Sequence, residues 1–161
     1  MAPVHVRRLA RTSALQALYE LDTTSHPADQ VIAYRLADHP LPPEGEAFLR
    51  ELVSGVCKHR ERLDAIIQRY APAWPVSQIA IIDRNILRIA LLELTMCPEG
   101  TLHPQTPPKV AINEAVDLAK AFGSESSSRF VNGVLGTAVS DLRLVNEEQS
   151  TAALTTPFGE A

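Results

Sequence analysis

The apolar residues near the start of the chain recur at three- and four-residue intervals. They are Ala10, Ala14, Ala17, Leu18 and Leu21. Because this spacing follows the turn of an α-helix, it predicts an amphipathic helix from about Arg7 to Asp22. A second, more polar helix is predicted from Ala28 to Asp38, because the prolines that follow it cannot continue a helix.

The middle of the chain carries two further helical patterns. The first runs from Glu44 to Tyr70, and the charged stretch at 58–62 predicts a bend or a break in it. The second runs from Val76 to Leu94 and is apolar on nearly every face. A helix of that kind is typical of the buried centre of a bundle.

The last third of the chain predicts two helices after a proline- and glycine-bearing loop at 97–106. Pro107 and Pro108 suit a first helical turn, where a missing amide donor costs nothing, and Gly123 suits the helix end. Serines at 124–128 can cap a last helix, whose apolar stripe ends at Leu142.

These patterns predict an all-α fold, a compact bundle of about six to seven helices, since no convincing strand pattern occurs. We expect a flexible N-terminus at 1–6, one domain at 7–145, and a mobile C-terminal tail at 146–161, where the helical period is lost. At 161 residues, one domain buries enough surface to fold without disulfides.

Composition narrows the classes of function. The formal net charge of -4 argues against a protein that coats nucleic acid through bulk positive charge. The two cysteines have no CxxC partner, and neither a signal sequence nor a membrane span is visible, so we expect a cytoplasmic protein. The histidines stand far apart, and we expect no metal.

The sequence also lacks the common catalytic signatures. GxxxxGK[ST], GxGxxG, GxSxG and HExxH are all absent. Asp83 and Glu93 are a weak candidate for a carboxylate pair, because no histidine accompanies them and ten residues separate them. We therefore expect neither catalytic residues nor a cofactor.

Three arginines at the start of the first helix form the first candidate site. Arg7, Arg8 and Arg11 are linked by three- and four-residue steps, so their guanidinium groups should project from neighbouring positions. Cations are slightly unfavourable at a helix N-terminus, which favours an anionic partner such as phosphate. The alternative is a solvated basic end with a few internal salt bridges.

The turn between the last two helices forms the second candidate site. A helix N-terminus offers backbone amides to an anion, serines add hydroxyl donors, and phenylalanines can stack on unpaired bases. The residues concerned are Lys120, Phe122, Ser124, Ser126, Ser127, Ser128, Arg129 and Phe130. The alternative is ordinary capping by the serines and core packing by Phe122 and Phe130.

Three other residues stand out. Asp83 falls on the apolar stripe of the central helix, so it needs a partner. The partner is either internal, such as Arg88 or an arginine from another helix, or a second protein. Tyr19 lies beside the first stripe and is either a buried tyrosine with one hydrogen bond or part of the same partner surface. Gly133 interrupts the last helix, which predicts close helix packing there.

Two long segments resemble the NusB family signature. They read PKVAINEAV, followed by LAK and FG, at 108–123, and RFVNGVL at 129–135. QALY at 16–19, NILRIA at 85–90 and Glu93-Leu94 also match, and in order and spacing the likeness extends from about Arg7 to Leu142.

The resemblance implies a NusB-like helical bundle and a function in transcription antitermination. Such a factor pairs with the ribosomal protein NusE, binds the single-stranded boxA RNA of ribosomal RNA leaders and helps RNA polymerase read through terminators. RNA contact would fall to Arg7, Arg8, Arg11, Lys120, Phe122, Ser126 and Arg129, and the NusE-facing side would include Tyr19 and Asp83. A homodimer that hides the partner surface is left open.

Two departures and two rivals accompany this expectation. Relatives often carry an acid where this chain has Ser126, and Leu9 thins the basic run, which suggests weaker phosphate binding. One rival is the accessory domain that precedes the catalytic domain of an RNA cytosine methyltransferase. The chain is too short to include that catalytic domain. The other is a purely protein-binding helical scaffold, which predicts no salt-dependent RNA affinity.

Overall fold

The computed structural model describes residues 3–95 and 106–154. Seven α-helices form the described part, and no strand occurs in it. The helices are α1 (Val4–Thr23), α2 (Ala28–Asp38), α3 (Pro43–Lys58), α4 (Arg60–Tyr70), α5 (Ile81–Thr95), α6 (Pro108–Phe122) and α7 (Ser127–Leu154). The predicted all-α bundle of six to seven helices is confirmed.

Helix α5 lies at the centre of the bundle, as its all-round apolar sequence predicts. It packs against α1, α3, α4, α6 and α7. Every residue from Asn85 to Glu93 is buried, and Ile86, Leu87 and Leu91 are fully covered. Helix α1 packs against both α3 and α5.

Several helix boundaries differ from the predictions. Helix α1 starts at Val4, three residues before the predicted start at Arg7. The charged stretch does break the third helical pattern, at His59, whereas the central helix starts at Ile81 rather than Val76. Pro75 is followed by a short 3-10 helix at Val76–Gln78 instead.

The C-terminal boundary also differs. The backbone of α7 stays helical past Asn146 to Leu154, so the predicted loss of helix at 146 is wrong. Residues 155–161 and most of the predicted loop at 97–106 lie outside the described residues. Within the described ranges, no helix is long and apolar enough to span a membrane.

Asp22 joins α1 to α4 and α5 through a cluster of arginines. Its carboxylate is almost fully buried and pairs with Arg60, with Arg84 at 3.6 Å and with Arg88 at 3.0 Å. Arg88 also makes a two-point contact with Asp64, at 2.7 and 2.9 Å. Arg88 therefore pairs with Asp22 and Asp64, and the alternative that made Arg88 the internal partner of Asp83 is not realised.

The glycines of the last two helices have different roles. A Cβ atom at Gly123 would lie 2.5 Å from the Ser127 side chain and 2.7 Å from the Ala119 carbonyl oxygen, so the α6–α7 turn requires glycine. A Cβ at Gly133 would meet nothing within 4 Å. The prediction that Gly133 allows close helix packing is therefore wrong.

Candidate nucleic-acid interface

The three arginines of α1 do not project together, contrary to the prediction. Arg11 is buried, with 2% of its surface exposed, and its guanidinium donates to Glu93 at 3.0 and 2.7 Å. It also lies over the Phe48 ring, 5.2 Å from the centroid, and Thr106 donates to Glu93 at 3.3 Å. Arg11 therefore forms a buried ion pair that joins α1 to α5, and it is not part of an exposed basic cluster.

Arg8 is the arginine that α1 presents to solvent. Its side chain is 58% exposed, and its Nε and Nη2 donate to the two carboxylate oxygens of Glu114 at 3.2 and 2.9 Å. These hydrogen bonds, and then the charge of Glu114, raise the pKa of Arg8. The contact ties the first turns of α1 to the middle of α6.

Arg7 lies between these two extremes. It is half-buried, and its guanidinium carbon lies 5.9 Å from the centroid of the Phe48 ring. Partial burial and the neighbouring charge of Arg11 lower the pKa of Arg7. Arg7 and Arg11 therefore share one aromatic ring, which fixes Arg7 at the edge of the bundle.

The serine-rich turn is a hydrogen-bonded cap that leaves some of its residues exposed. The Ser127 hydroxyl accepts from the Ser124 amide at 2.9 Å, and Ser127 is fully buried, so this serine has a structural role within the turn. Ser126 is exposed, and its backbone carbonyl accepts from the Phe130 amide at 3.1 Å. Lys120 and Arg129 are exposed on either side of the turn.

Phe122 and Tyr19 line one groove. Phe122 is 39% exposed and Tyr19 is 43% exposed, so the alternatives that buried either of them are wrong, whereas Phe130 packs against the core as its alternative predicts. The groove has a volume of 490 Å³. Its lining is Leu15, Gln16, Tyr19, Glu20 and Thr23 of α1, Arg35 of α2, Ile82 of α5 and Phe122 of α6.

Asp83 follows Ile82 of that groove and is 8% exposed. Its Oδ1 atom is buried and finds no hydrogen-bond partner among the residues that the structure describes. An unpaired buried carboxylate oxygen is costly. Asp83 itself does not line the groove, and its partner-facing role stays a prediction.

The two predicted RNA-binding regions lie along the same pair of helices. Arg8 contacts Glu114 near the middle of α6, while Leu15 and Tyr19 lie across the groove from Phe122 at its end. The eight residue steps from Glu114 to Phe122 span about 12 Å along a helix. Helix α6 therefore meets α1 at Glu114 and lines the same groove as α1 at Phe122.

Sequence reasoning missed the acids that position the arginines. Glu114 falls beside Ala111, Ala115 and Leu118 on the buried face of α6, and Glu93 falls on a helix that is apolar nearly all round. An acid on such a face needs a buried or covering cation. The sequence therefore indicates that Glu93 and Glu114 each need a cation. It does not identify Arg11 and Arg8 as those cations, because they lie far away along the chain.

This chain is similar to known proteins along most of its length. The model of the NusB family matches residues 8–140. The transcription antitermination protein NusB of Roseiflexus castenholzii is 56% identical over 138 residues, which are 86% of this chain and 94% of the relative. The chain belongs to the NusB family.

Other relatives and solved structures agree with this membership. The transcription antitermination protein NusB of Chloroflexus aggregans is 51% identical, over 88% of this chain and 94% of the relative. NusB of T. maritima superposes with a TM-score of 0.74 at 28% identity, over 86% of this chain and 92% of that one. The chain in a crystal structure of the antitermination factors NusB and NusE with double-stranded RNA has the same fold, with a TM-score of 0.75 at 23% identity, over 86% and 99%.

Proposed function

We propose that this member of the NusB family is a cytoplasmic, non-enzymatic transcription antitermination factor. It binds single-stranded boxA RNA of ribosomal RNA leaders together with NusE and thereby promotes read-through by RNA polymerase. The observation that carries the proposal is the match to the family over nearly the whole described bundle, with a relative named as an antitermination protein at 56% identity.

The geometry supports separate surfaces for RNA and for NusE. Arg8, Lys120, Ser126 and Arg129 are exposed along α1, the end of α6 and the start of α7, where guanidinium, ammonium and hydroxyl groups suit RNA phosphates and bases. Tyr19 and Phe122 line the apolar groove, which suits NusE, and Asp83 directly follows the groove residue Ile82 in sequence. Arg11 is not proposed as an RNA contact, because it is buried.

Binding of labelled single-stranded RNA tests the proposal. A boxA-like strand and a scrambled strand are titrated with and without NusE at several salt concentrations. We expect tighter binding of the boxA-like strand, a further gain with NusE, and a steep fall in affinity with salt. Equal binding of the two strands would contradict the proposal, and binding of NusE without any RNA affinity would favour the protein-binding scaffold.

A substitution isolates the contribution of Arg8. Arg8→Ala should flatten the dependence of log affinity on log salt concentration by about 0.7, the contribution of one phosphate contact to a single strand. Arg69→Ala is the matched control, because Arg69 is an exposed arginine on α4, where it pairs with Asp141 at 3.3 Å. An unchanged slope for Arg8→Ala would remove Arg8 from the interface.

A further inference from the structure

Glu114 makes a two-point contact with Arg8, and the acid is buried although the arginine is exposed. Both carboxylate oxygens are used, one by Nε and the other by Nη2 of the guanidinium. The acid side chain is only 8% exposed, while the arginine side chain is 58% exposed. The buried acid is therefore the fixed member of the pair, and the Nη1 side of the arginine lies outside this two-point contact.

On the basis of the proposed function, we propose that Glu114 is a positioning residue for RNA binding. It orients the guanidinium of Arg8 so that the remaining N–H groups meet a phosphate of the RNA. An arginine side chain loses much rotamer freedom when it is immobilised at an interface, and a partner that orders it beforehand reduces that cost. A two-point contact suits this role because the planar guanidinium then has one orientation.

The charge of Glu114 has the opposite effect on RNA affinity. A carboxylate near the binding surface weakens the attraction for phosphates, so its removal alone should strengthen binding. Loss of the contact to Arg8 should weaken binding. The sign of the change therefore distinguishes a positioning acid from one that merely neutralises Arg8.

Asp117 provides a matched control on the same helix. It lies three residues further along α6, is exposed, and raises the pKa of Arg8 through its charge and not through a hydrogen bond. Glu114→Gln and Asp117→Asn thus remove the same charge close to the same arginine. Only Glu114→Gln removes one of the two charged acceptors that orient it.

The experiment measures the affinity of the full chain with NusE for the boxA-like single strand. We expect Glu114→Gln to bind roughly two- to tenfold more weakly than Asp117→Asn, the range for ordering one long side chain on binding. The Arg8 Nε–H resonance of the free protein should shift and broaden in Glu114→Gln only. In the Arg8→Ala background, the two α6 variants should bind RNA equally.

Three results would overturn the inference. They are equal or tighter binding by Glu114→Gln than by Asp117→Asn, a weakening that persists in Arg8→Ala, and an Arg8 resonance that Glu114→Gln does not change. Should Glu114→Gln fail to fold, Arg8→Lys replaces it, because lysine keeps the charge without the planar two-point contact. We expect a similar loss for Arg8→Lys, and wild-type affinity would contradict the inference.

The proposed function fails separately. If the wild-type chain with NusE does not prefer the boxA-like strand, the proposed function and the inference both fall. If the wild type shows that preference but Glu114→Gln behaves like Asp117→Asn, only the inference falls.

Discussion

The buried pair of Arg11 and Glu93 should contribute strongly to stability. Both side chains are 3% exposed, and two hydrogen bonds of 3.0 and 2.7 Å join them. Removal of one partner leaves an uncompensated buried charge or polar group, which costs about 3–5 kcal/mol. For a domain of this size that loss lowers the melting temperature by about 6–20 °C. Arg11→Met and Glu93→Gln should each show it.

Replacement of both partners should recover most of that loss. Arg11→Met combined with Glu93→Met removes both charges of this pair, and apolar groups of similar volume often substitute for a buried ion pair without a net penalty. The Thr106 hydroxyl loses its acceptor in this variant, which costs about 1 kcal/mol. The double variant should therefore be more stable than either single variant.

Urea unfolding followed by far-UV circular dichroism measures these differences. Arg50→Gln is the control, because Arg50 pairs with Glu46 on the surface of α3 with both side chains more than 40% exposed. Its effect should stay within about 0.5 kcal/mol. If Arg11→Met and Glu93→Gln were as mild as Arg50→Gln, the pair would be solvated and Arg11 would be available to RNA, which would refute this reasoning.

Two further predictions concern stability. Gly133→Ala should raise the free energy of unfolding by about 1 kcal/mol, because the new methyl group meets open space and alanine favours helix. Gly123→Ala should lower it, because the methyl group would collide with Ser127 and Ala119. The opposite order of melting temperatures would contradict this prediction. The hydrogen bond from Tyr70 to Asp141, 2.5 Å long, raises the pKa of Tyr70. The unfolded chain therefore loses the phenolic proton at a lower pH than the folded chain, so stability should fall as pH rises above about 10. Tyr70→Phe should weaken that fall, and an unchanged fall would indicate that the hydrogen bond is absent.

Local patterns predicted the helices where caps and apolar period agree. Pro108 begins α6, Gly123 follows its end, and the charged stretch ends α3 at Lys58. The apolar spacing placed the start of the central helix too early, at Val76, where a 3-10 turn follows Pro75 and precedes α5. It also placed the end of the last helix too early, because the backbone stays helical past Asn146. Both errors arise because apolar spacing does not fix where a helix begins or ends.

The site was harder to predict than the fold because its charges pair across long stretches of sequence. Arg11 lies four residues before Leu15 and seven before Leu18, so the spacing alone could have placed it on the buried face. The identity of its partner, Glu93, depends on how α1 packs against α5, which no local pattern specifies. The same holds for Glu114, which the sequence shows as one acid within a family motif.

The most direct test of the proposed RNA surface is a resonance map of boxA RNA on the isotope-labelled protein, in the presence of NusE. We expect RNA to shift the Arg8 side chain and the Lys120, Ser126 and Arg129 amides, and to leave the Arg11 Nε–H of the buried pair unchanged. Shifts confined to other faces of the bundle, or a perturbed Arg11 with an unperturbed Arg8, would contradict the account.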